Sequence, residues 1–200
     1  MGENVLLIIN TNKKHKLDES KYNERRAECE EALKALQSRF PGLSALCKLS
    51  PEDFEANLDV FSNETILRRA RHAVTENART LEAAKRLKAD DIASFGELMK
   101  ASHQSLRYDY EVTGKELDCL YDLGKDLPGV LGIRMTGAGF GGSAVAVVSA
   151  STLEEVKQSI AEGYRQAIGY DATFVSTGVG NGGREILNWR EKEGQEQGMG

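Results

Sequence analysis

The chain has 200 residues, of which 40% are hydrophobic and 28% charged, with a formal net charge of -5. This size and hydrophobic content are sufficient for one globular core with a helical annex. The acidic balance argues against a nucleic-acid-binding domain, which needs a broad basic surface. No apolar run approaches the roughly 18 residues of a membrane span, so membrane insertion is not predicted.

The first 130 residues are predicted to form one strand followed by helices. Residues 5–9 (VLLII) are a short apolar run with β-branched members, which predicts a buried strand, and a polar loop follows up to Tyr22. Ser50 before Pro51 has the pattern of a helix N-cap followed by proline in the first turn. Helical patterns cover residues 22–40, 63–88, 91–106 and 116–123, in addition to the short helix that begins after Ser50.

The remainder of the chain changes to β-type runs. Strands are predicted at 130–135, 144–148 and 172–175, with a helix over 152–167 capped by Ser151 or Thr152. The order β-α-β-β-α-β is the split β-α-β pattern of ferredoxin-like α+β folds, with extra helices in the first crossover. We expect one domain over residues 1–186 and a disordered tail over 187–200, which is charged and rich in Gly and Gln.

The segment RMTGAGFGGS, residues 134–143, is the strongest candidate for a functional loop. Gly137, Gly139 and Gly142 satisfy the GxGxxG spacing, but a strand-like run follows instead of the helix that a dinucleotide site requires. A second match, at residues 178–183, comes too near the end of the chain to open a helix of that kind. Two interpretations of residues 137–142 remain, a hairpin turn and a ligand-binding loop with exposed amides, and the number of glycines favours the second.

Other candidate residues have structural explanations that the sequence favours. The basic residues at 13–16, Arg25 and Arg26 could line a phosphate-binding cleft, but the sequence favours a solvated loop and an exposed helix face. His72 and His103 have no second ligand at metal spacing, so no metal site is predicted. The three cysteines are scattered and form no CxxC, which indicates reduced thiols and a cytoplasmic protein.

The segment RMTGAGFGGS resembles the third signature motif of the GHMP kinases, in its galactokinase form. Three further segments are similar to galactokinase segments in the same order, and the resemblance covers about residues 5–185. They are NTNKKHKLDESKYNERRAECEEAL, RARHAVTENART and ASHQSLRYDYEVTGKELDCL.

This resemblance implies the fold of the GHMP kinase C-terminal domain and transfer of the ATP γ-phosphoryl group to the C1 hydroxyl of α-D-galactose, with Mg²⁺ as cofactor. Tyr22 matches the family tyrosine that contacts the sugar, and Lys14 lies where the family often has an arginine close to the active site. Ser143 replaces the common cysteine. The loop that abuts the sugar site matches Gly137, Ala138, Gly139, Phe140, Gly141 and Gly142.

Two galactokinase motifs, GRxNLIGEHxDY and PxGxGLSSSA, are not found in this sequence. In the family they belong to an N-terminal half that holds most of the nucleotide and supplies the catalytic Asp and an Arg. We therefore expect a C-terminal half that is inactive alone and that binds galactose and ATP together with an N-terminal half. Two alternatives remain, a non-catalytic sugar-sensing or interaction module and a kinase for a related sugar such as N-acetylgalactosamine or arabinose.

Overall fold

The computed structural model describes residues 2–13 and 19–180. Lys14, Gly183 and the predicted tail at 187–200 lie outside the described residues, so the predictions about them are not tested. The elements agree with the predicted order. The strands are β1 (Asn4–Asn10), β2 (Val130–Thr136), β3 (Ser143–Ser149) and β4 (Thr173–Thr177); the helices are α1 (Glu19–Gln37), α2 (Pro51–Glu55), α3 (Glu64–Lys88), α4 (Ile92–Ser105), α5 (Lys115–Gly124) and α6 (Leu153–Ile168).

The four strands form one sheet in the order β2-β3-β1-β4, with every neighbouring pair antiparallel. The first strand in the chain is therefore central, and its last residue, Asn10, lies opposite both Ser143 of β3 and Thr173 of β4. Helices α1 to α5 all belong to the crossover from β1 to β2, and α6 connects β3 to β4. This topology confirms the predicted α+β fold with an enlarged first crossover.

The two faces of the sheet are covered unequally. One face carries Leu7, Ile9 and Ile133, which are fully buried against α5 and α6. On the other face α4 covers the β2–β3 half, where Met99 packs with Val147. The β1–β4 half of that face remains open, since Ile8 is 36% exposed and its cross-strand neighbour Val175 is 60% exposed.

A second hydrophobic core joins α1, α2 and α3 away from the sheet. Phe54 and Leu36 are fully buried in this core and Ile66 is 5% exposed. Ser50 caps α2 as predicted, because its side chain accepts a 3.0 Å hydrogen bond from the amide of Asp53. This helical annex and the sheet therefore have separate cores within the described residues.

Some local features of the structure differ from the predictions. Helix α1 ends at Gln37, and the chain reaches Phe40 through looser turns in which the Phe40 amide still bonds to the Leu36 carbonyl. A π-helical segment, Leu106–Tyr110, follows α4 and was not predicted. Thr152 occupies the N-cap position of α6 without capping it, because its hydroxyl donates to the Ser149 carbonyl across a preceding 3-10 turn.

None of the helices in residues 2–13 and 19–180 is both long and apolar enough to cross a membrane.

Candidate functional site

The glycine loop, residues 137–142, joins β2 to β3 with an unusual backbone. Positive φ angles occur at Gly137 (81°), Gly139 (90°), Phe140 (60°), Gly141 (137°) and Gly142 (87°). A two-residue hairpin turn needs at most two such residues, whereas this loop has five in six positions. Side chains are rarely tolerated in this region of φ, which explains the glycine content of the loop.

The centre of the loop is fixed against Val112, in the segment between the π-helical turn and α5. The amide of Phe140 donates a 2.6 Å hydrogen bond to the Val112 carbonyl. A Cβ atom on Gly139 would lie 2.2 Å from that carbonyl oxygen. Only a glycine can therefore occupy position 139 while the backbone keeps this path.

The C-terminal end of the loop is fixed to the residue that follows β1. Both the amide and the hydroxyl of Thr11 donate to the carbonyl of Gly142, at 2.9 and 2.8 Å. Thr11 is fully buried, and its own carbonyl accepts a 2.8 Å hydrogen bond from the Tyr164 hydroxyl of α6. The loop is therefore held by two segments that are distant from it in sequence.

The N-terminal half of the loop is open. Thr136, Gly137 and Ala138 are exposed, and nothing lies within 4 Å of a Cβ built on Gly137. The sign of φ alternates along this stretch, which is positive at Gly137 and Gly139 but not at Ala138. Such alternation lets successive amides point to the same side, as in anion-binding nests. This part of the loop can donate backbone hydrogen bonds to a ligand.

Helix α1 brings its N-terminal turn beside the loop. The ammonium group of Lys21 lies 5.3 Å from the centroid of the Phe140 ring, within the range of a cation–π interaction. Tyr22, the predicted sugar contact, is the next residue along the helix and is 59% exposed. Its exposure leaves the phenol free to meet a ligand, and the role of Tyr22 stays a prediction. Lys14 lies outside the described residues.

The segment that carries Val112 is braced by charged groups. Glu111 has a φ of 57°, and its carboxylate contacts Arg69 at 2.6 Å and Arg68 at 2.8 Å. Arg69 is 1% exposed and also pairs with Glu28 of α1 at 2.7 Å. The pKa of Glu111 lies below its ordinary value. Partial burial alone would raise it, but hydrogen bonds from Arg69 and Arg68 to the carboxylate outweigh the effect of burial. This network connects α1 and α3 to the contact point of the glycine loop.

Both histidines of the helical region have structural contacts. His103 is fully buried, accepts a 3.1 Å hydrogen bond from the Met135 amide and stacks on Tyr121 at 4.1 Å. His72 contacts the Ser105 hydroxyl at 2.9 Å, and its burial lowers its pKa to about 4. In the part of the chain described, no three or more His, Cys, Asp or Glu side chains form a group that could hold a metal ion.

The basic residues considered as a phosphate cleft are engaged in ion pairs. Lys13 pairs with Glu116 at 3.0 Å, and Arg26 pairs with Glu30 at 3.0 Å on the exposed face of α1. Arg25 donates to the Tyr110 carbonyl at 2.8 Å and to Glu28 at 2.9 Å. These contacts agree with the structural interpretation of the cluster, as far as it is described.

The residues that hold the loop were not among the predicted site residues. Thr11 and Val112 act through backbone atoms or a single hydroxyl, which leaves no pattern in the sequence. The sequence marks this place only as a polar stretch after the first strand, NTN at residues 10–12. In the structure Asn12 adopts a φ of 53°. Lys21 stood in a segment predicted as loop, but it belongs to α1.

Comparison with known proteins gives one consistent result. A family model described as GHMP kinases C terminal matches residues 80–166. The galactokinase of Lactiplantibacillus plantarum is 48% identical over 186 residues, which are 93% of this chain and 48% of that protein. The galactokinase of Exiguobacterium sibiricum is 51% identical over 182 residues, which are 91% of this chain and 46% of that protein. The chain thus spans about half the length of the curated relatives it matches.

Solved structures agree with these relatives. The crystal structure of Lactococcus lactis galactokinase complexed with galactose matches with a TM-score of 0.87 and 47% identity, over 92% of this chain and 47% of that chain. The structure of L. major mevalonate kinase matches with a TM-score of 0.50 and 17% identity, over 88% of this chain and 43% of that chain, and supports the fold alone. This chain therefore carries a GHMP kinase C-terminal domain and is related to galactokinases.

Proposed function

We propose that this chain supplies the C-terminal part of a galactokinase, which transfers the γ-phosphoryl group of ATP to the C1 hydroxyl of α-D-galactose. The glycine loop carries the proposal. Its sequence resembles the galactokinase motif, and Gly137 and Ala138 in its open half are exposed. The fold of the chain also matches that of a galactokinase whose structure contains galactose.

The part that this chain plays in the reaction is positioning. Phosphoryl transfer requires aligned reactants and stabilised charge more than covalent chemistry by the protein. The open half of the glycine loop would form a rigid backbone wall beside the sugar, and Tyr22 would contact the sugar from α1. We propose that the catalytic Asp, an Arg and most contacts to ATP and Mg²⁺ come from an N-terminal half with the two motifs that this sequence lacks.

It follows that residues 1–186 act as one domain that is inactive alone. We propose a cytoplasmic protein whose ligands, galactose and ATP, are bound jointly with that other half. The open half-face of the sheet, with Ile8 and Val175 exposed, is consistent with a domain that has further protein to contact.

A complementation experiment tests this proposal. The chain is incubated with ATP, Mg²⁺ and galactose, alone and mixed with the N-terminal portion of the L. plantarum galactokinase that lies outside the match. Formation of a sugar 1-phosphate is followed by ³¹P NMR. We expect turnover in the mixture and none with either part alone. Replacing galactose with N-acetylgalactosamine or arabinose in the same mixture identifies the preferred sugar.

Two results would contradict the proposal in different ways. Turnover by the chain alone would show that it is catalytically complete. Galactose binding by the chain, measured by NMR shifts of loop amides, without turnover in any mixture would instead favour the non-catalytic sugar-sensing alternative.

A further inference from the structure

Thr11 links three parts of the fold at the edge of the candidate site. Its amide and hydroxyl both donate to the carbonyl of Gly142, and its carbonyl accepts from the hydroxyl of Tyr164. Thr11 and Tyr164 are both fully buried. The glycine loop, the end of β1 and helix α6 therefore meet at one residue.

The two bonds to Gly142 have different origins. Asn10 and Ser143 are the last register pair of β1 and β3, so the amide bond from Thr11 extends that ladder by one residue. The hydroxyl bond is additional, and a carbonyl oxygen has the two lone pairs needed to accept both. Because the Lys13 amide donates to the Thr11 hydroxyl at 3.3 Å, the hydroxyl proton is left to point at Gly142.

The bond from the Thr11 hydroxyl to Gly142 restrains a pivoting of the loop that its contact with Val112 permits. Between its ends, where Thr136 pairs with Ser143, the loop is held at Phe140 by the bond to Val112, and the residues on either side can pivot about that bond. The glycines on either side of Phe140 provide little steric resistance to such a pivot. The Thr11 hydroxyl adds a second bond at the Gly142 carbonyl, two residues beyond Phe140, where the Thr11 amide already bonds, and so strengthens the restraint on the direction in which the open half faces.

We propose that Thr11 is a positioning residue for the glycine loop and that its hydroxyl, acting through Gly142, orients the amides of Gly137 and Ala138 toward their ligand. The identity of the ligand rests on the proposed function, whereas the restraint on the loop does not. The substrate that this restraint would orient is the sugar whose hydroxyl accepts the phosphoryl group.

Two substitutions in the 200-residue chain separate the hydroxyl from the rest of the side chain. Thr11→Val is nearly isosteric and removes only the hydroxyl, whereas Thr11→Ser keeps the hydroxyl and removes a buried methyl group. Amide hydrogen exchange is followed by NMR at Phe140, which reports opening of the loop, and at Ala146 in the middle of β3, which reports unfolding of the sheet. Both readouts are independent of ligand and activity.

We expect exchange at Phe140 to become about five- to tenfold faster in Thr11→Val, relative to exchange at Ala146, because one buried hydrogen bond is lost. In Thr11→Ser the ratio of the exchange rate at Phe140 to the exchange rate at Ala146 should stay near that of the unsubstituted chain. Equal ratios in all three proteins would overturn the proposal, and so would a Thr11→Ser ratio as high as that of Thr11→Val.

A second variant keeps the proposal testable if Thr11→Val does not fold. Tyr164→Phe removes the donor to the Thr11 carbonyl without touching the loop, and it should also increase the ratio, by a smaller factor. An unchanged ratio in Tyr164→Phe together with an unfolded Thr11→Val would count against the proposal. Galactose titrations of the same samples are interpreted separately, so that weak or absent sugar binding bears on the proposed function and leaves the positioning result intact.

Discussion

The two halves of the glycine loop use the same residue type for different physical reasons. In the packed half, Gly139 is needed because a Cβ atom would overlap the Val112 backbone, and Gly142, with a φ of 87°, is bonded through its carbonyl to Thr11. In the open half, Gly137 has free space around it and is needed only for its positive φ and its exposed amide. The packed half therefore maintains the conformation of the loop, and the open half exposes its backbone to solvent.

Gly139→Ala should have the largest effect. The new Cβ would overlap the Val112 carbonyl oxygen at 2.2 Å and would occupy a φ of 90°. Overpacking and backbone strain each cost about 1–3 kcal/mol, so we expect the free energy of unfolding to fall by about 4 kcal/mol, measured by urea denaturation. Gly137→Ala is the matched control, and equal losses at both positions would remove the distinction between the two halves.

Arg69→Met should be the next most damaging change. It removes a buried guanidinium and leaves the carboxylates of Glu28 and Glu111 without that partner. Breaking a buried ion pair in this way costs about 3 kcal/mol. Arg68→Met, at a more exposed neighbour that also contacts Glu111, should cost less than about 1 kcal/mol. If the two variants unfold at the same urea concentration, the bracing role assigned to Arg69 is wrong.

The bracing of Val112 should weaken in acid. The pKa of Glu111 is lowered in the folded state. Its contribution to the free energy of unfolding is therefore fully present when the pH is above the ordinary pKa of 4.5, and it is lost as the pH falls through the folded-state pKa. Glu111→Gln should therefore lower the free energy of unfolding by about 1.5 kcal/mol at neutral pH, since a hydrogen bond to a charged group is lost. The difference from the unsubstituted chain should shrink below pH 4.5. A difference that stays constant from neutral to acidic pH would contradict this account.

Gly137→Ala should have a small effect on stability and the clearest effect on function. Only the positive φ opposes the new methyl group, so we expect a loss of about 1 kcal/mol in the free energy of unfolding. In the complementation assay, turnover of galactose should nevertheless fall at least about tenfold, because the methyl group projects from the half that faces the ligand. Unchanged turnover would mean that this half does not meet the substrate.

Much of the fold followed from local patterns, because helical and strand periodicities, Ser50 before Pro51 and the GAGFGG run all act over a few residues. The π-helical segment Leu106–Tyr110 had no such signal. Its geometry depends on Arg69, which donates to the Asp109 carbonyl at 2.5 Å from a helix 40 residues earlier. The loop conformation depends in the same way on Thr11, which lies 131 residues from Gly142 in the chain. Contacts of this kind require the tertiary structure.

The central position of β1 has a consequence for folding. The hairpin of β2 and β3, with the glycine loop at its tip, can form from contacts between near neighbours in the chain. Strand β1 instead pairs Asn10 with Ser143 and with Thr173, so its two partners lie at the other end of the chain. Long-range pairings of this kind form slowly. We therefore expect the loop to exist early in folding as a hairpin without its final orientation, and to acquire that orientation in the last step, when β1 enters the sheet and Thr11 reaches Gly142.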